Sequence, residues 1–362
     1  MKRWISLMAL VLCAALLLAG CGARPPAGDT GPSDPPAVDA TPDPAGGEDT
    51  LDPASPIIMV GEEAITGYEY QFHYTTAVNE FLSVNSAYLD GYLDPSQPFD
   101  EQPYPDSEDL TWADFFRDSV VSNLVRYIAL YQEARAQNFT LSAEDESGIA
   151  ANMSNMRAYC EESGVLPEVF LAQMYGEGMT ENILQMIMTR FALAVSFEDS
   201  IVRTYSFTDE EIRAYYEANK EEGADYEGNV VTVRYILLTE KEEADSVYQM
   251  FLDSDRSEDA FAALAVQYSL DDQTASNGGL CENVGPNSAP ADYDEFDSWC
   301  FDAARQPGDY TRIELGEQFH LLYFCQSGEP QWKVMGRSAM EQEKLSEYRL
   351  TLEEKYPVSF LS

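Results

Sequence analysis

The sequence predicts an α+β protein in which a mostly helical part surrounds a smaller segment of strands and helices. Residues 112–137 carry apolar side chains at steps of four and three, the pattern of an amphipathic helix. Residues 231–238 and 317–324 are apolar runs rich in β-branched and aromatic residues, which is typical of buried strands. The chain ends contribute two more apolar fragments, 57–60 and 358–361, each too short to stand alone. We expect these ends to pair, so that the strand-bearing segment is an insertion.

The N-terminus has the composition of an export signal. Lys2 and Arg3 precede an apolar run that is short for a membrane span, and Leu-Ala-Gly-Cys closes it at 18–21. Residues 1–20 are therefore predicted to be a signal peptide. The position of Cys21 resembles the lipobox of bacterial lipoproteins, which implies a lipid-bearing N-terminal cysteine and an extracytoplasmic, membrane-anchored protein. A signal anchor, or an ordinary secretory peptide with an incidental cysteine, remains an alternative.

Residues 21–55 are predicted to be a disordered tether. Residues 22–55 hold eight prolines with glycine, alanine and aspartate, and they contain no aromatic side chain. Such a segment cannot bury enough apolar surface to offset the loss of chain entropy on ordering. We expect it to separate the anchor from the folded body.

The charge of the chain disfavours nucleic acid as a partner. It has 21 basic and 64 acidic residues and a formal net charge of −43. Binding to phosphates depends on neutralisation by Lys and Arg, which are too few here. Most of the acidic surface is explained by solubility, and attraction of basic unfolded proteins is a weaker alternative.

The cysteines and histidines give no metal-binding or nucleophilic pattern. Beyond Cys13 and Cys21 the cysteines are Cys160, Cys281, Cys300 and Cys325. Their spacing contains no C-x-x-C motif and no zinc-type cluster, so we expect neither a metal nor another cofactor. Outside the cytoplasm they could form disulfides, and the sequence leaves the pairing open. With two histidines and no G-x-S-x-G motif, few other enzyme classes fit.

The remaining helices are predicted from apolar spacing and from caps. Thr66 with Glu69, and Thr208 with Glu211, have the spacing of a capping box, and Thr111 with Asp114 is the expected cap of the helix at 112–137. Residues 84–110 are rich in Pro, Asp and Tyr and predict a long surface loop. Further helices are expected at about 142–162, 167–175 and 180–204, and a last one between residue 329 and the final strand.

Three stretches resemble known families. The order of strand 231–238, a helix ending in AVQYSLDD, a glycine pair and strand 317–324 resembles a parvulin-type peptidyl-prolyl isomerase domain. IMVGEEAITGYEY at 58–70 resembles the opening of SurA-like and PrsA-like chaperone domains, and SFTDEEIRAYYEANK at 206–220 resembles the helix that leads into the parvulin domain of PrsA-type foldases.

The resemblance implies a domain organisation. A helical chaperone domain would occupy 56–227, and the isomerase domain would occupy 228–328 as a four-stranded antiparallel sheet with helices. Residues 329–362 would return to the chaperone domain as a helix and a strand.

The resemblance also implies a site. Tyr235 stands where the family usually has the first of two histidines, and His320 is the second. Asp271, in YSLD, takes the position of a Cys or Asp in the family, and Leu280 and Phe296 would form the apolar wall. Two departures matter: Tyr235 replaces an imidazole, and no acidic residue separates the glycine pair from the leucine.

The function implied is a foldase that assists secreted proteins containing X-Pro bonds, with isomerase activity reduced by the change at Tyr235. One alternative is a chaperone whose parvulin-like domain is inactive. Another is a solute-binding lipoprotein, which is disfavoured because the sequence lacks the alternating βαβ units of that class.

Overall fold

The computed structural model describes residues 54–85, 89, 92–105, 107, 109–220, 226–271, 273–286 and 294–361. The predicted signal peptide, Cys21 and nearly all of the predicted tether lie outside these residues. Within them, no helix combines the length and the apolar character that a membrane crossing requires. The chain divides into two compact units, which we call unit 1 and unit 2.

Unit 1 comprises the described residues up to Tyr205 and those from Lys344 onward. Its elements are β1 (Pro56–Val60), β2 (Glu63–Thr66), α1 (Gly67–Asn85), α2 (Trp112–Ala136), α3 (Ala143–Ser163), α4 (Pro167–Tyr175), α5 (Glu181–Val202) and β7 (Val358–Phe360). The predicted helices are confirmed to within a few residues.

The two chain ends meet in a small antiparallel sheet of order β2-β1-β7. Ile58 pairs with Phe360 and Val60 with Val358, so the predicted pairing of the ends is observed. Ile58, Val60 and Ile65 are buried in the main core of unit 1. The short fragments are therefore stabilised by burial that neither could obtain alone.

Capping boxes define the starts of two helices in unit 1. Thr111 and Asp114 bond reciprocally at the start of α2, and Ser142 and Asp145 do the same at α3. Each box satisfies two backbone donors that the first helical turn leaves open. Both contacts lie within one helical turn. The sequence predicts the cap at Thr111, whereas the box at Ser142 is found only in the structure.

The start of α1 differs from the prediction. The hydroxyl of Thr66 accepts from the backbone N–H of Glu69, at 3.3 Å, as in a box. The carboxylate of Glu69 does not complete the box, because it accepts from Arg190 on α5 at 2.8 Å. The predicted capping box is therefore half formed, since a buried tertiary contact takes the carboxylate.

The predicted surface loop at 84–110 is wrong for part of the segment, although Tyr92 and Leu110 are exposed as predicted. Leu93 is buried, and Phe99 and Tyr104 pack against Trp112 and Phe116 of α2. A short 3₁₀ turn at Phe99–Glu101 lies within this segment. Aromatic side chains bury large apolar areas, so Phe99 and Tyr104 fold back on the helix while other residues of the segment stay exposed.

Unit 2 comprises Ser206–Glu343. Its elements are α6 (Asp209–Asn219), β3 (Asn229–Leu238), α7 (Lys241–Asp253), α8 (Glu258–Tyr268), β4 (Leu280–Val284), α9 (Asp294–Cys300), β5 (Tyr310–Leu315) and β6 (Gln318–Pro330). Thr208 and Glu211 form the predicted capping box of α6. The last helix, α10 (Gln331–Lys355), begins in unit 2 and ends in unit 1.

The sheet of unit 2 is antiparallel and four-stranded, with order β4-β3-β6-β5. Residues from α7 and α8 cover one face, around Ile236 and Leu321. Residues from α9 cover the other face, around Tyr235 and Leu322. The sheet is thus buried on both sides, and with unit 1 it confirms the predicted α+β class.

Candidate functional site

The register of the two central strands brings Tyr235 and His320 together. Tyr235 of β3 lies opposite Leu322 of β6, and His320 lies opposite Leu237. Residues two apart on a strand share a face, so Tyr235 and His320 are diagonal neighbours on the face covered by α9. A diagonal pair is beyond the reach of short side chains, but aromatic side chains can span it.

The two side chains are directly hydrogen-bonded. The hydroxyl oxygen of Tyr235 lies 2.9 Å from Nδ1 of His320. Their rings are nearly parallel, at 21° and a centroid distance of 5.7 Å. Relative exposures of 2% and 1% show that solvent does not reach the pair.

Burial determines the charge of this pair. It lowers the pKa of His320 below its ordinary value, so the imidazole is neutral at neutral pH. A neutral imidazole has one donor and one acceptor nitrogen. With the proton on Nε2, the hydroxyl of Tyr235 donates to Nδ1. The pair can therefore offer hydrogen bonds to a polar group without carrying a net charge.

Phe296 packs beside the hydrogen-bonded pair. It lies on α9, is fully buried, and meets the ring of Tyr235 edge to face at 6.0 Å. The structure places Phe296 against Tyr235, and its role as a wall residue stays a prediction.

Asp271 lies in a turn, and its carboxylate has a local partner. It accepts from the backbone N–H of Thr274 at 3.2 Å and also from the hydroxyl of Thr274. The turn is attached to the end of β3, because the N–H of Leu270 donates to the carbonyl of Leu237 at 2.8 Å. The hydroxyl of Ser269 accepts from the N–H of Leu237 at 3.2 Å. Asp271 thus stabilises the turn beside the site.

The glycine pair after this turn is held against β3. The N–H of Tyr235 donates to the carbonyl of Gly279 at 2.8 Å. Arg234, the preceding residue, donates to the carbonyls of Asn277 and Gly278 at 3.2 and 2.9 Å. These contacts fix the backbone of Tyr235. Sequence reasoning missed Arg234 and Thr274, and the only available signal was their closeness to the predicted residues.

Leu280 lies on the other side of the sheet according to the register. It pairs with Arg234, whose guanidinium contacts Glu258 of α8, whereas the next residue, Cys281, pairs with Val233. Paired residues share a face, so Cys281 lies on the Tyr235 face. The role of Leu280 as a wall residue stays a prediction that this register does not favour.

The described residues contain no group of three His, Cys, Asp or Glu side chains that could hold a metal ion. The residues of the site are a neutral hydrogen-bonded pair beside aromatic and thiol side chains, and the pair can exchange hydrogen bonds with a polar group.

No protein-family model matches the chain. A foldase protein PrsA from Caldanaerobacter subterraneus subsp. tengcongensis is 28% identical over 224 residues, which are 62% of this chain and 59% of that protein. The chain is similar to a PrsA foldase. This match confirms the predicted resemblance, and the aligned part spans about three fifths of the relative's length.

Two solved structures also resemble the chain, at low identity. PrsA from Bacillus subtilis has a TM-score of 0.38 and 16% identity, over 69% of this chain and 90% of that one. A SurA-like chaperone from Campylobacter jejuni has a TM-score of 0.30 and 10% identity, over 85% and 99% of the two chains. At these TM-scores the likenesses add nothing to the fold described above.

Proposed function

We propose that the protein is an extracytoplasmic foldase, tethered to the membrane by a lipid on Cys21, that binds unfolded secreted proteins and acts slowly on their X-Pro bonds. In this proposal residues 56–227 and 329–362 hold unfolded proteins, and residues 228–328 act on proline. The observation that carries it is the hydrogen bond between Tyr235 and His320 beside Phe296. The similarity to a PrsA foldase supports the class of client.

The pair suits the chemistry of prolyl isomerisation. Rotation about the peptide bond has a barrier of roughly 18–20 kcal/mol, because twisting destroys amide resonance. No covalent step is needed. Hydrogen bonds that favour the twisted amide, together with an apolar seat for the proline ring, lower this barrier. Tyr235 and His320 supply the polar groups, and Phe296 supplies apolar surface.

Two features account for a low rate. The Tyr235 hydroxyl replaces an imidazole and sits farther from its strand, and catalysis by positioned groups is sensitive to small displacements. In addition, both members of the pair are almost fully buried. A substrate must therefore displace part of the covering surface before it can contact them.

A peptide assay with the purified protein tests this activity. We expect the wild type to accelerate isomerisation of a proline peptide weakly, His320→Ala to abolish the acceleration, and Tyr235→His to increase it roughly tenfold by restoring a second imidazole. Tyr310→Phe is a matched control, because Tyr310 packs on the opposite face of the same sheet. Its rate should equal that of the wild type.

Burial of the pair favours a second candidate, a chaperone without turnover. A wild type with no measurable rate, insensitive to these changes yet able to suppress aggregation of an unfolded protein, would establish that candidate. Fast wild-type turnover that collapses in His320→Ala would instead contradict the reduced rate and indicate a full isomerase.

The tether is tested at Cys21. A diacylglycerol carries two acyl chains, whereas a single chain gives only marginal residence in a membrane. We expect Cys21→Ala to release the protein from the membrane fraction into the medium. The same substitution at Cys160, which lies in a buried cluster of unit 1, is the control and should leave the distribution unchanged. Membrane retention of Cys21→Ala at the wild-type level would refute the tether.

A further inference from the structure

Unit 2 contains three cysteines whose pairing the sequence leaves open. Cys281 lies on β4, Cys300 is the last residue of α9, and Cys325 lies on β6. All three are thiols in this structure. Three pairs are conceivable, and the sheet geometry distinguishes between them.

The pair of Cys281 and Cys325 is too far apart. Strand β3 lies between β4 and β6, and adjacent strands are about 4.7–4.9 Å apart, so the two backbones are separated by roughly 9.5 Å. A disulfide needs Cα atoms within about 7 Å. Bridging these two cysteines would require β3 to leave the sheet.

The pair of Cys300 and Cys325 lies on opposite faces of the sheet. Cys325 packs against the cluster formed with α7 and α8, whereas Cys300 belongs to the cluster on the α9 side. The neighbour of Cys325, Phe324, points to the α9 side, as the alternation of a strand requires. The strands themselves separate these two thiols.

Cys281 and Cys300 share one buried cluster. Both pack on the Tyr235 face, with relative exposures of 8% and 1%. Burial, with the nearby charge of Asp297, raises the pKa of Cys300 to about 12, so this thiol is protonated at neutral pH. The two cysteines therefore lie on the same face of the sheet and in the same buried cluster.

We infer that Cys281 and Cys300 form a disulfide that links β4 to α9 when the chain folds outside the cytoplasm. The inference depends on the extracytoplasmic location in the proposed function, because disulfides persist in oxidising compartments. The bridge anchors the helix that carries Phe296 to the sheet that carries Tyr235. It therefore holds the apolar wall of the candidate site in place.

The bond forms by exchange with a small-molecule disulfide. One cysteine thiolate attacks a sulfur of that disulfide, its S–S bond breaks, and one thiolate leaves. The second cysteine thiolate then attacks the protein sulfur of the mixed disulfide and displaces the other thiolate. The two cysteines lose two electrons and two protons, and the small disulfide is reduced to two thiols.

The reaction should occur during folding. In the folded chain the pKa of Cys300 is about 12, and thiolates are the reactive species. The folded, reduced protein is therefore expected to oxidise slowly, whereas the refolding chain oxidises while both thiols are still exposed.

Refolding in a glutathione redox buffer tests the inference. After thiols are blocked without reduction, a protease that cuts after glutamate should release linked fragments carrying Cys281 and Cys300. Trypsin cannot show the link, because no Lys or Arg separates the two cysteines, whereas Glu282 and Glu295 do. The melting temperature of unit 2 should be about 10 °C higher in the oxidised protein than after reduction.

Matched variants identify the pair. Cys325→Ala and Cys160→Ala should keep the linked fragments and the rise in melting temperature, and Cys281→Ala and Cys300→Ala should lose both. Linked fragments that contain Cys325, or two titratable thiols at Cys281 and Cys300 after refolding in oxidised glutathione, would overturn the inference.

The test of the disulfide can fail or succeed independently of the tests of the proposed function. Reduced Cys281 and Cys300 in protein recovered from the membrane fraction would contradict the bridge, while the peptide assay and the Cys21 test would be unaffected. Linked fragments in refolded protein would uphold the bridge even if the peptide assay showed no rate.

Discussion

Arg190→Met is expected to destabilise unit 1 by about 3–5 kcal/mol. The guanidinium bonds to Glu69 at 2.8 Å, to the carbonyl of Ala64 at 3.2 Å and to Glu63 at 3.3 Å. It also lies over the ring of Tyr131 of α2 at 5.0 Å. The side chain of Glu69 is 2% exposed, so removal of Arg190 leaves a carboxylate in the core with its main counter-charge gone.

The loss of stability in Arg190→Met should depend on pH. Burial raises the pKa of Glu69 to about 7, and the charge of Arg190 opposes this rise. Because the folded protein holds this proton more tightly than the unfolded chain, the contribution of Glu69 to stability is present below its ordinary pKa of 4.5 and is lost as the pH rises towards 7. Without Arg190 the pKa rises further. Relative to the wild type, Arg190→Met should therefore lose more stability at about pH 8 than at about pH 5.

His73, one turn along α1, is not expected to mask this effect. Burial, with the charge of Arg190, lowers its pKa from 6.5 to about 4, so His73 costs the wild type stability as the pH falls from 6.5 towards 4. Without Arg190 this lowering is smaller, so His73 also makes the loss of stability in the variant smaller at about pH 5 than at about pH 8. Calorimetry of the unit 1 transition and hydrogen exchange of α1 and α5 would measure the loss.

Two controls make the result specific. Glu69→Met with Arg190→Met removes both charges and should recover most of the stability, because an apolar pair can replace a buried ion pair. Arg157→Met removes a guanidinium that is 53% exposed from its pair with Glu181 and should change stability by less than about 1 kcal/mol. Equal losses in Arg190→Met and Arg157→Met would show that burial of the pair is unimportant.

Gly279→Ala should destabilise unit 2 by more than about 4 kcal/mol. Gly279 has φ +72°, and an added Cβ would lie 2.2 Å from the carbonyl oxygen of Tyr235 and 3.0 Å from its nitrogen. Both atoms belong to the backbone of the central strand and cannot move aside as a flexible side chain could. The hydrogen bond from Tyr235 to Gly279 should break, and the Tyr235 ring should lose its position.

Gly316→Ala separates the clash from the backbone strain. Gly316 has φ +63°, and nothing lies within 4 Å of an added Cβ. The left-handed conformation alone costs about 1–2 kcal/mol. Urea unfolding followed by the fluorescence of Trp299, which packs against the Tyr235 cluster, compares the two variants. If Gly279→Ala and Gly316→Ala lose the same free energy of unfolding, the close approach of Gly279 to β3 does not limit stability.

Local signals explain the parts of the fold that the sequence predicts well. The caps at Thr111 and Thr208 act within one helical turn, and the apolar spacing of α2 depends only on helical geometry. The Thr66 cap fails in part for the opposite reason. Its carboxylate partner, Glu69, is taken by Arg190, which is 121 residues away in the chain.

In the candidate site, too, some features follow from the local sequence and others from contacts between distant residues. The sequence points to Tyr235, His320 and Phe296 through a resemblance, and it places the first two on strands. It does not show that Tyr235 and His320 touch, because their contact across 85 residues depends on the register of β3 and β6. Nor does it show that the carboxylate of Asp271 caps a turn through Thr274.

By itself the sequence determined the α+β class, most of the helices and strands, and the similarity to PrsA-like foldases, because these follow from patterns within a few residues or from motif order. Only the tertiary structure decided that Glu69 pairs with Arg190, that Cys281 rather than Leu280 shares the face of Tyr235, and that Cys281 and Cys300 lie in one cluster. Each of these depends on strand register or on packing between distant segments. A shift of one residue in register would reverse the face of every side chain on a strand, and no local signal specifies it.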